Sequence, residues 1–186
     1  SEIELIAQAK ASGLPVTCEV TPHHLFLTDA DAARLGPYGD VRPTLGTLQD
    51  QQALWQHLNA TIDCIASDHA PHTREEKEQP EGNPPGVPGL ESTLPLMLTA
   101  AAQGHLTYTR LVELLSANPR RIFNLPEQPD TIIEVDPSAK YTFPEHPLYT
   151  KCGWSPFNGM PMTGRLQRVV LRGQEVVRDG IVLNIH

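Results

Sequence analysis

The stretch TIDCIASDHAPH, residues 61–72, decides the fold, because an apolar run in it ends at an aspartate with two histidines close behind. The run before Asp68 predicts a short buried strand of the kind found in parallel sheets. A carboxylate at the end of such a strand, followed by imidazoles, suits a divalent metal with a general base beside it. Asp68, His69 and His72 are too few ligands for a two-metal site, and His69 is better explained as a packing or supporting residue.

The chain upstream of this stretch alternates between helix and strand patterns. The expected elements are a helix at 2–12, a strand at 14–22, a loop and short helix capped near Thr28 or Asp29, a strand or strand end at 40–46, a helix at 47–59 capped by Thr47, and the strand at 61–68. Repeated strand–helix units of this spacing are typical of a parallel sheet or barrel. The first helix pattern is already under way at Ser1, so we expect the chain to be an internal piece of a longer protein.

The chain downstream changes character twice. Residues 72–89 form a loop rich in Pro, Gly and charge, and its length favours a functional loop over a simple connection. Helices follow at 90–104 and 107–125, the second broken before Pro119. The last third is β-rich, with the sequence RDG at 178–180 as a hairpin turn. The sequence therefore predicts an α/β fold with two parts, residues 1–128 and 129–186.

Composition limits the function classes. The chain has 186 residues, of which 39% are hydrophobic and 19% charged, so it can form a real core. A net charge of −8 argues against nucleic acid or anionic membranes as partners. No apolar run approaches the roughly 18 residues of a membrane span. The three cysteines are odd in number and far apart, which favours a reducing compartment, so we expect a cytoplasmic protein.

Three candidate functional residues, Glu19, Arg42 and Asp68, each stand at or near the carboxyl end of an expected strand. In a βα barrel those ends form the active face, so we expect the three side chains to converge. Any one of them alone is more simply a satisfied polar group of the core. Three in succession, with histidines in the adjoining loops, favour a hydrolytic site.

Six segments occur here in the order found in dihydroorotases of the amidohydrolase superfamily, and together they span the chain from Ile3 to Gly180. They are VTCEVTPHHLFLT (16–28), DVRPTLG (40–46), DCIASDHAPHT (63–73), PPGVPGLE (84–91), NPRRIFNLP (118–126) and SPFNGMPMTGRLQRVVLRGQEVVRDG (155–180). The chain resembles in particular the dihydroorotase domain of the animal-type multifunctional pyrimidine-synthesis protein. Hydantoinases and allantoinase share the Ser-Asp-His core, but the pair His23–His24 and the terminal His72 favour dihydroorotase.

The resemblance implies a (β/α)8 barrel flanked by a small β-sandwich, with two zinc ions bridged by a carbamylated lysine and a hydroxide. Asp68 matches the carboxylate that binds the more buried zinc, takes the proton of the attacking hydroxide and passes it to the leaving amide nitrogen. Glu19 matches a position implicated in an additional metal. His23 and His24 match supporting residues.

Four further positions match the family's substrate contacts. Arg42 and His72 resemble the residues that hold the substrate carboxylate, which a guanidinium fork and an imidazole suit well. The backbone at Pro85 and Gly86 resembles the groups that line the substrate ring. The implied reaction is the interconversion of N-carbamoyl-L-aspartate and L-dihydroorotate in de novo pyrimidine synthesis.

The family's remaining metal ligands have no match in this chain. No His-x-His occurs in it, and Lys10, Lys77, Lys140 and Lys151 all lie outside the position of the carbamylated lysine. Five of the six expected ligands therefore belong upstream, and Asp68 is the one present. We therefore expect this chain to form the C-terminal part of the barrel and of the sandwich. Its expected partners are the upstream half of the domain and either a second copy or the neighbouring enzymes of a multifunctional protein. An alternative is a dihydroorotase-like domain that has lost catalysis and serves as a scaffold.

Overall fold

The computed structural model describes residues 2–80 and 82–183. Its helices are α1 (Glu2–Ala11), α2 (Pro22–Phe26), α3 (Asp29–Leu35), α4 (Leu48–His57), α5 (Arg74–Lys77), α6 (Leu90–Ala102), α7 (Tyr108–Val112) and α8 (Asn118–Ile122), with a 3-10 turn at Gly36–Gly39 and a π-helical turn at Glu113–Ala117. Its strands are β1 (Glu19–Val20), β2 (Cys64–Ile65), β3 (Ile132–Thr142), β4 (Pro161–Leu171), β5 (Gln174–Arg178) and β6 (Ile181–Val182). The α/β class predicted from the sequence is confirmed.

A parallel pair of strands forms the centre of the first part of the chain. Glu19 of β1 lies opposite Cys64 of β2, and Val20 lies opposite Ile65. Because the strands are parallel, the segments that follow them emerge at the same edge. This arrangement brings residues after Val20 close to residues after Ile65, as the βα pattern predicts.

Three of the strand predictions were wrong in extent, and the strand expected at 61–68 is reduced to β2, Cys64–Ile65. The strand expected at 14–22 is reduced to β1, and Leu14 and Val16 are exposed rather than buried. Among the described residues β1 pairs with β2 alone, so no second strand covers these apolar side chains. The strand expected at 40–46 is an irregular segment, in keeping with Pro43, which has no N–H to donate to a sheet.

The helix predictions were more accurate because their signals are local. Thr47 caps α4, accepting a hydrogen bond from the N–H of Asp50 at 3.3 Å, while its own N–H donates to the Asp50 carboxylate at 2.9 Å. Thr28 is the N-cap of α3, as predicted. The segment before it, expected to be a loop, contains α2, which Thr21 caps. The break expected before Pro119 takes the form of a π-helical turn ending at Ala117.

The last third of the chain forms a four-stranded antiparallel sheet in the order β3-β4-β5-β6. The predicted RDG hairpin is present, because Asp179 and Gly180 both have positive φ and join Arg178 to Ile181. Residues 184–186, the end of the predicted β-rich segment, and Glu81 of the predicted loop lie outside the described residues.

Helix α6 connects two hydrophobic cores. Its residues Met97 and Leu98 pack with Leu58 in the first core, which surrounds the parallel strands. Its Leu96 packs with Phe157 and other residues in the second core. The helix also contacts β4 of the antiparallel sheet. No helix in the described ranges is long and apolar enough to cross a membrane.

The contact between α6 and β4 depends on Gly164, which has φ +97°. A Cβ at this position would lie 2.7 Å from the Cβ of Leu98, a distance that forces a shift in the core. We expect Gly164→Ala to lower the free energy of unfolding by about 1–3 kcal/mol more than Gly159→Ala does. Gly159 is a matched control, because it also has positive φ but nothing lies within 4 Å of its Cβ position. Denaturant unfolding measures both, and equal losses would contradict the packing argument.

Candidate active site

The carboxyl ends of β1 and β2 open into a cleft with a volume of about 720 Å³. Glu19, Arg42 and Asp68 all line this cleft, so the structure brings together the three strand-end residues that the sequence singled out. His24 lines it as well. His72, Pro85 and Gly86 are not among the lining residues.

Asp68 stands three residues beyond β2 in a left-handed backbone conformation, with φ +46°. Aspartate tolerates this region better than most residues, and departures of this kind are common where a side chain must point at a particular place. Its side chain is 54% exposed, and one carboxylate oxygen lies 3.8 Å from Nε2 of His23. The carboxylate is thus accessible from the cleft while it faces one buried imidazole.

His23 is buried in α2, and within the described part of the chain its Nε2 has no hydrogen-bond partner. Burial, reinforced by the neighbouring His24, lowers the pKa of His23 from 6.5 to about 3. The ring is therefore neutral at physiological pH, and its contact with Asp68 is not an ion pair.

The depressed pKa of His23 predicts a pH dependence with a defined sign. The unfolded chain takes up a proton at His23 below pH 6.5, but the folded chain does not until about pH 3. Stability is therefore complete above pH 6.5 and falls by up to about 1.4 kcal/mol per pH unit as the pH drops towards 3. We expect the His23 ring resonances in NMR to stay unshifted from pH 8 to 5, and His23→Asn to flatten the acid side of the stability curve. A ring titrating near pH 6.5 would contradict this.

His24 connects α2 to the segment that carries Arg42. Its Nδ1 lies 2.7 Å from Oγ1 of Thr21, and its Nε2 lies 3.1 Å from the carbonyl oxygen of Pro43. The imidazole thus bridges the residue after β1 and the residue after Arg42. This supporting role agrees with the expectation from the sequence.

Arg42 has a partner that the sequence analysis did not identify. Its guanidinium donates to the carboxylate of Asp40 and, at 2.9 Å, to the carbonyl oxygen of Val41. The other carboxylate oxygen of Asp40 accepts a hydrogen bond from the side chain of Asn83 at 3.1 Å. The carbonyl oxygen of Asp40 accepts one from the N–H of Gly86 at 2.8 Å. The spacing of Asp40 and Arg42 in DVRP was a sequence signal for their ion pair. No sequence signal pointed to the contacts with Asn83 and Gly86, which lie more than 40 residues away.

His72 and Gly86 form a second group beside the cleft. A Cβ on Gly86, which has φ +133°, would come within 3.4 Å of the His72 ring and 2.7 Å of the Cβ of Ala70. The Nδ1 of His72 lies 3.8 Å from the Glu76 carboxylate, and its carbonyl oxygen accepts a hydrogen bond from the Trp154 indole at 2.7 Å. Pro85 precedes Gly86 and is exposed.

Asp40 connects this group to Arg42, because its carbonyl oxygen accepts the N–H of Gly86 and its carboxylate accepts the Arg42 guanidinium.

His69, in contrast, forms hydrogen bonds with the backbone of the protein itself. Its Nδ1 accepts hydrogen bonds from the N–H groups of Gly89 and Leu90, at 3.1 and 3.3 Å. It therefore satisfies backbone donors at the start of α6, as a side-chain cap does. This geometry agrees with a supporting role for His69.

A metal would need ligands beyond those this part of the chain brings together. The described residues contain no group of three or more His, Cys, Asp or Glu side chains placed to hold an ion. Asp68 and Glu19 each present a carboxylate to the cleft, and each is chemically able to supply one ligand. Two carboxylates do not complete a zinc site, so we derive no catalytic step through a metal from this geometry.

The sequence matches curated proteins over nearly its whole length. It is 52% identical over 183 residues to the multifunctional protein pyr1-3 of Dictyostelium discoideum, covering 98% of this chain and 8% of that protein. It is 38% identical over 172 residues to a dihydroorotase of Pyrococcus furiosus, covering 89% of this chain and 40% of that protein. The chain thus spans less than half the length of these relatives, and no family model matches it.

Solved structures confirm the barrel-type α/β fold. The L-hydantoinase of Arthrobacter aurescens superposes with a TM-score of 0.87 at 32% identity, covering 98% of this chain and 44% of that one. The inactive dihydroorotase-like domain of a multifunctional protein of Chaetomium thermophilum superposes with a TM-score of 0.78, also at 32% identity. That alignment covers 98% of this chain and 50% of the other.

Proposed function

Because the chain belongs to the dihydroorotase family and corresponds to the C-terminal part of the dihydroorotase domain, we propose that it forms part of a working dihydroorotase. The intact enzyme interconverts N-carbamoyl-L-aspartate and L-dihydroorotate in pyrimidine synthesis. The observation that carries the proposal is the shared cleft beside the parallel strands β1 and β2, which Glu19, Arg42 and Asp68 all line.

The residues in and beside the cleft that the resemblance matches have defined tasks in this proposal. Asp68 accepts the proton of the nucleophile and returns it to the leaving amide nitrogen, as an exposed carboxylate at the cleft is able to do. Arg42 binds the substrate carboxylate through its guanidinium, with His72 as a second contact. The backbone at Pro85 and Gly86 lines the substrate ring.

Two zinc ions are the proposed cofactor, with Asp68 as one ligand and Glu19 as a weaker candidate for an additional metal. Zinc, when bound, lowers the pKa of water towards about 7 and so supplies a nucleophile at neutral pH. The amidohydrolase relatives belong to a typically metal-dependent family, which supports this. The other ligands are proposed to lie in the upstream part of the domain.

The proposed organisation places barrel elements in residues 1–128 and sandwich elements in 129–186. The parallel strands of the first range and the antiparallel sheet of the second support this division. Relatives that are multifunctional proteins support a place beside neighbouring enzymes, and a homodimer is the other proposed assembly. The three cysteines are free, which supports a cytoplasmic location.

Two alternatives have support of their own. The inactive domain of Chaetomium thermophilum matches this fold and favours a scaffold without catalysis. Retention of Asp68, Arg42 and His72 favours an active enzyme, since a scaffold has no need of them. The hydantoinase likeness favours another cyclic amide as substrate, but higher identity to dihydroorotases and the histidines at 23, 24 and 72 oppose it.

The proposed function is tested by assaying the intact protein for cyclisation of N-carbamoyl-L-aspartate, with hydantoin and allantoin as competing substrates. We expect turnover with carbamoyl aspartate and much slower turnover with the others. The isolated 186-residue chain should show no turnover and no stoichiometric zinc, because its described residues hold no three-ligand group. A zinc content near two ions per isolated chain, measured by elemental analysis, would overturn the proposal. So would a preference of the intact protein for hydantoin over carbamoyl aspartate.

A further inference from the structure

Lys77 is fully buried, although the sequence around it, TREEKEQP, is rich in charge. Every other lysine and arginine side chain in the described ranges is at least partly exposed to solvent. It ends α5, the short helix within the long loop between β2 and α6. A buried ammonium is costly unless hydrogen bonds replace its hydration, so its partners define what it does.

The partners of Lys77 are main-chain carbonyl groups. Its Nζ donates to the carbonyl oxygen of Pro84 at 2.9 Å, to that of Gly86 at 3.1 Å and to that of Asp40 at 3.5 Å. An ammonium has three donors, and three acceptors meet them here. The ring of Trp154 lies 5.9 Å from Nζ and encloses the group from another side.

These carbonyl groups belong to two segments that the sequence assigned to substrate binding. Pro84 and Gly86 flank Pro85 in the loop, and Asp40 holds the guanidinium of Arg42. The carbonyl oxygen of Asp40 also accepts the N–H of Gly86 at 2.8 Å. The ammonium therefore joins the two segments, and Lys77 itself is fully buried and does not line the cleft.

The electrostatics agree with this arrangement. Burial lowers the pKa of Lys77, and the nearby charge of Asp40 opposes that shift while Arg42 adds to it. Without the ammonium, the carbonyl oxygens of Pro84 and Gly86 would be left without their buried donor. The loop would then relax relative to Arg42.

We propose that Lys77 is a positioning residue, which fixes the Pro85–Gly86 backbone against the Asp40–Arg42 pair so that both contact the same small carboxylate substrate. This inference rests on the proposed function for the identity of the substrate. It predicts that Lys77 affects substrate affinity far more than the chemical step, because it touches neither the substrate nor Asp68.

The test compares Lys77→Met with Lys151→Met in the intact, zinc-loaded protein. Methionine keeps the length of the side chain but removes the donors, and Lys151 is an exposed lysine three residues before Trp154. We expect Lys77→Met to raise KM for dihydroorotate about tenfold or more with kcat changed less than about threefold. Amide hydrogen exchange of Gly86 should accelerate in the same variant. The Lys151→Met enzyme should match wild type in all three quantities.

Three results would overturn the proposal: kcat falling with KM unchanged, unchanged kinetics, or unchanged exchange at Gly86. If Lys77→Met does not fold, Asn83→Ala takes its place, because it removes the side-chain bond between the loop and Asp40. A rise in KM alone then supports the proposal, and an unchanged KM overturns it. A wild-type protein without dihydroorotase activity refutes the proposed function instead, and the exchange measurement still decides whether Lys77 holds the loop.

Discussion

Replacing Asp68 by alanine in the intact protein should effectively abolish turnover, which means a fall in kcat of about 10²- to 10⁴-fold or more. The reason is that the proposed mechanism uses this one carboxylate both to accept the proton of the nucleophile and to deliver it to the leaving nitrogen. The half-exposed carboxylate, three residues beyond β2, lies 3.8 Å from Nε2 of His23. The imidazole of His23 is buried and its pKa is lowered to about 3, so it is too weak a base to replace the carboxylate.

The backbone at Asp68 makes the choice of variants important. Alanine at φ +46° carries strain, so a loss of activity in Asp68→Ala has two possible origins. Asparagine tolerates this conformation as well as aspartate does, and glycine relieves it altogether. If the carboxylate is the active group, all three variants lose turnover to a similar degree. Recovery in Asp68→Asn or Asp68→Gly would show that backbone conformation, not proton transfer, was responsible.

Asp50 provides the matched control for this series. It also lines the cleft, but its carboxylate is bound to the backbone and hydroxyl of Thr47 in the cap of α4. We expect Asp50→Asn to keep kcat close to wild type and to lower stability slightly, because it weakens the capping box of α4. Near-normal turnover in the Asp68 variants would contradict the assignment of Asp68 as the proton-transfer residue.

The parts of the fold that the sequence predicted are those with local causes. Helix α4 could be predicted because its cap residues Thr47 and Asp50 stand three positions apart and its apolar residues follow a helical period. The hairpin at Asp179–Gly180 could be predicted because two consecutive residues there suit positive φ. The length of β1 could not be predicted, since a strand extends only as far as its neighbours pair with it.

In the candidate site, too, the features with local sequence signals could be predicted and those that depend on long-range contacts could not. Glu19 and Asp68 stand in or near strands that the pattern marks, so their convergence could be expected, whereas Arg42 lines the cleft from an irregular segment where a strand was predicted. The contacts of Asp40 with Asn83 and of Lys77 with Pro84 were missed, because these partners are more than five residues apart in sequence. A lysine in a charged loop is ordinarily exposed, and only the fold reveals that carbonyl groups enclose this one.

Arg42→Ala should weaken substrate binding and leave the chemical step largely intact. A charge-assisted hydrogen bond is worth about 1.5–3 kcal/mol, so KM for dihydroorotate should rise by about 10- to 100-fold. The guanidinium is 60% exposed at the cleft, and Asp40 fixes its position. Arg42→Lys should recover only part of the loss, because an ammonium cannot form the two parallel bonds that a guanidinium fork makes to a carboxylate.

Steady-state kinetics of four variants separates these effects. Arg34→Ala is the control, since Arg34 is an exposed arginine paired with Asp31 on α3, away from the cleft-lining residues. Asp40→Asn should raise KM by a smaller factor than Arg42→Ala, because the guanidinium remains but is no longer held by a charged partner. If Arg42→Ala instead lowered kcat at unchanged KM, Arg42 would act on the transition state alone, and its assignment as the carboxylate-binding residue would be wrong.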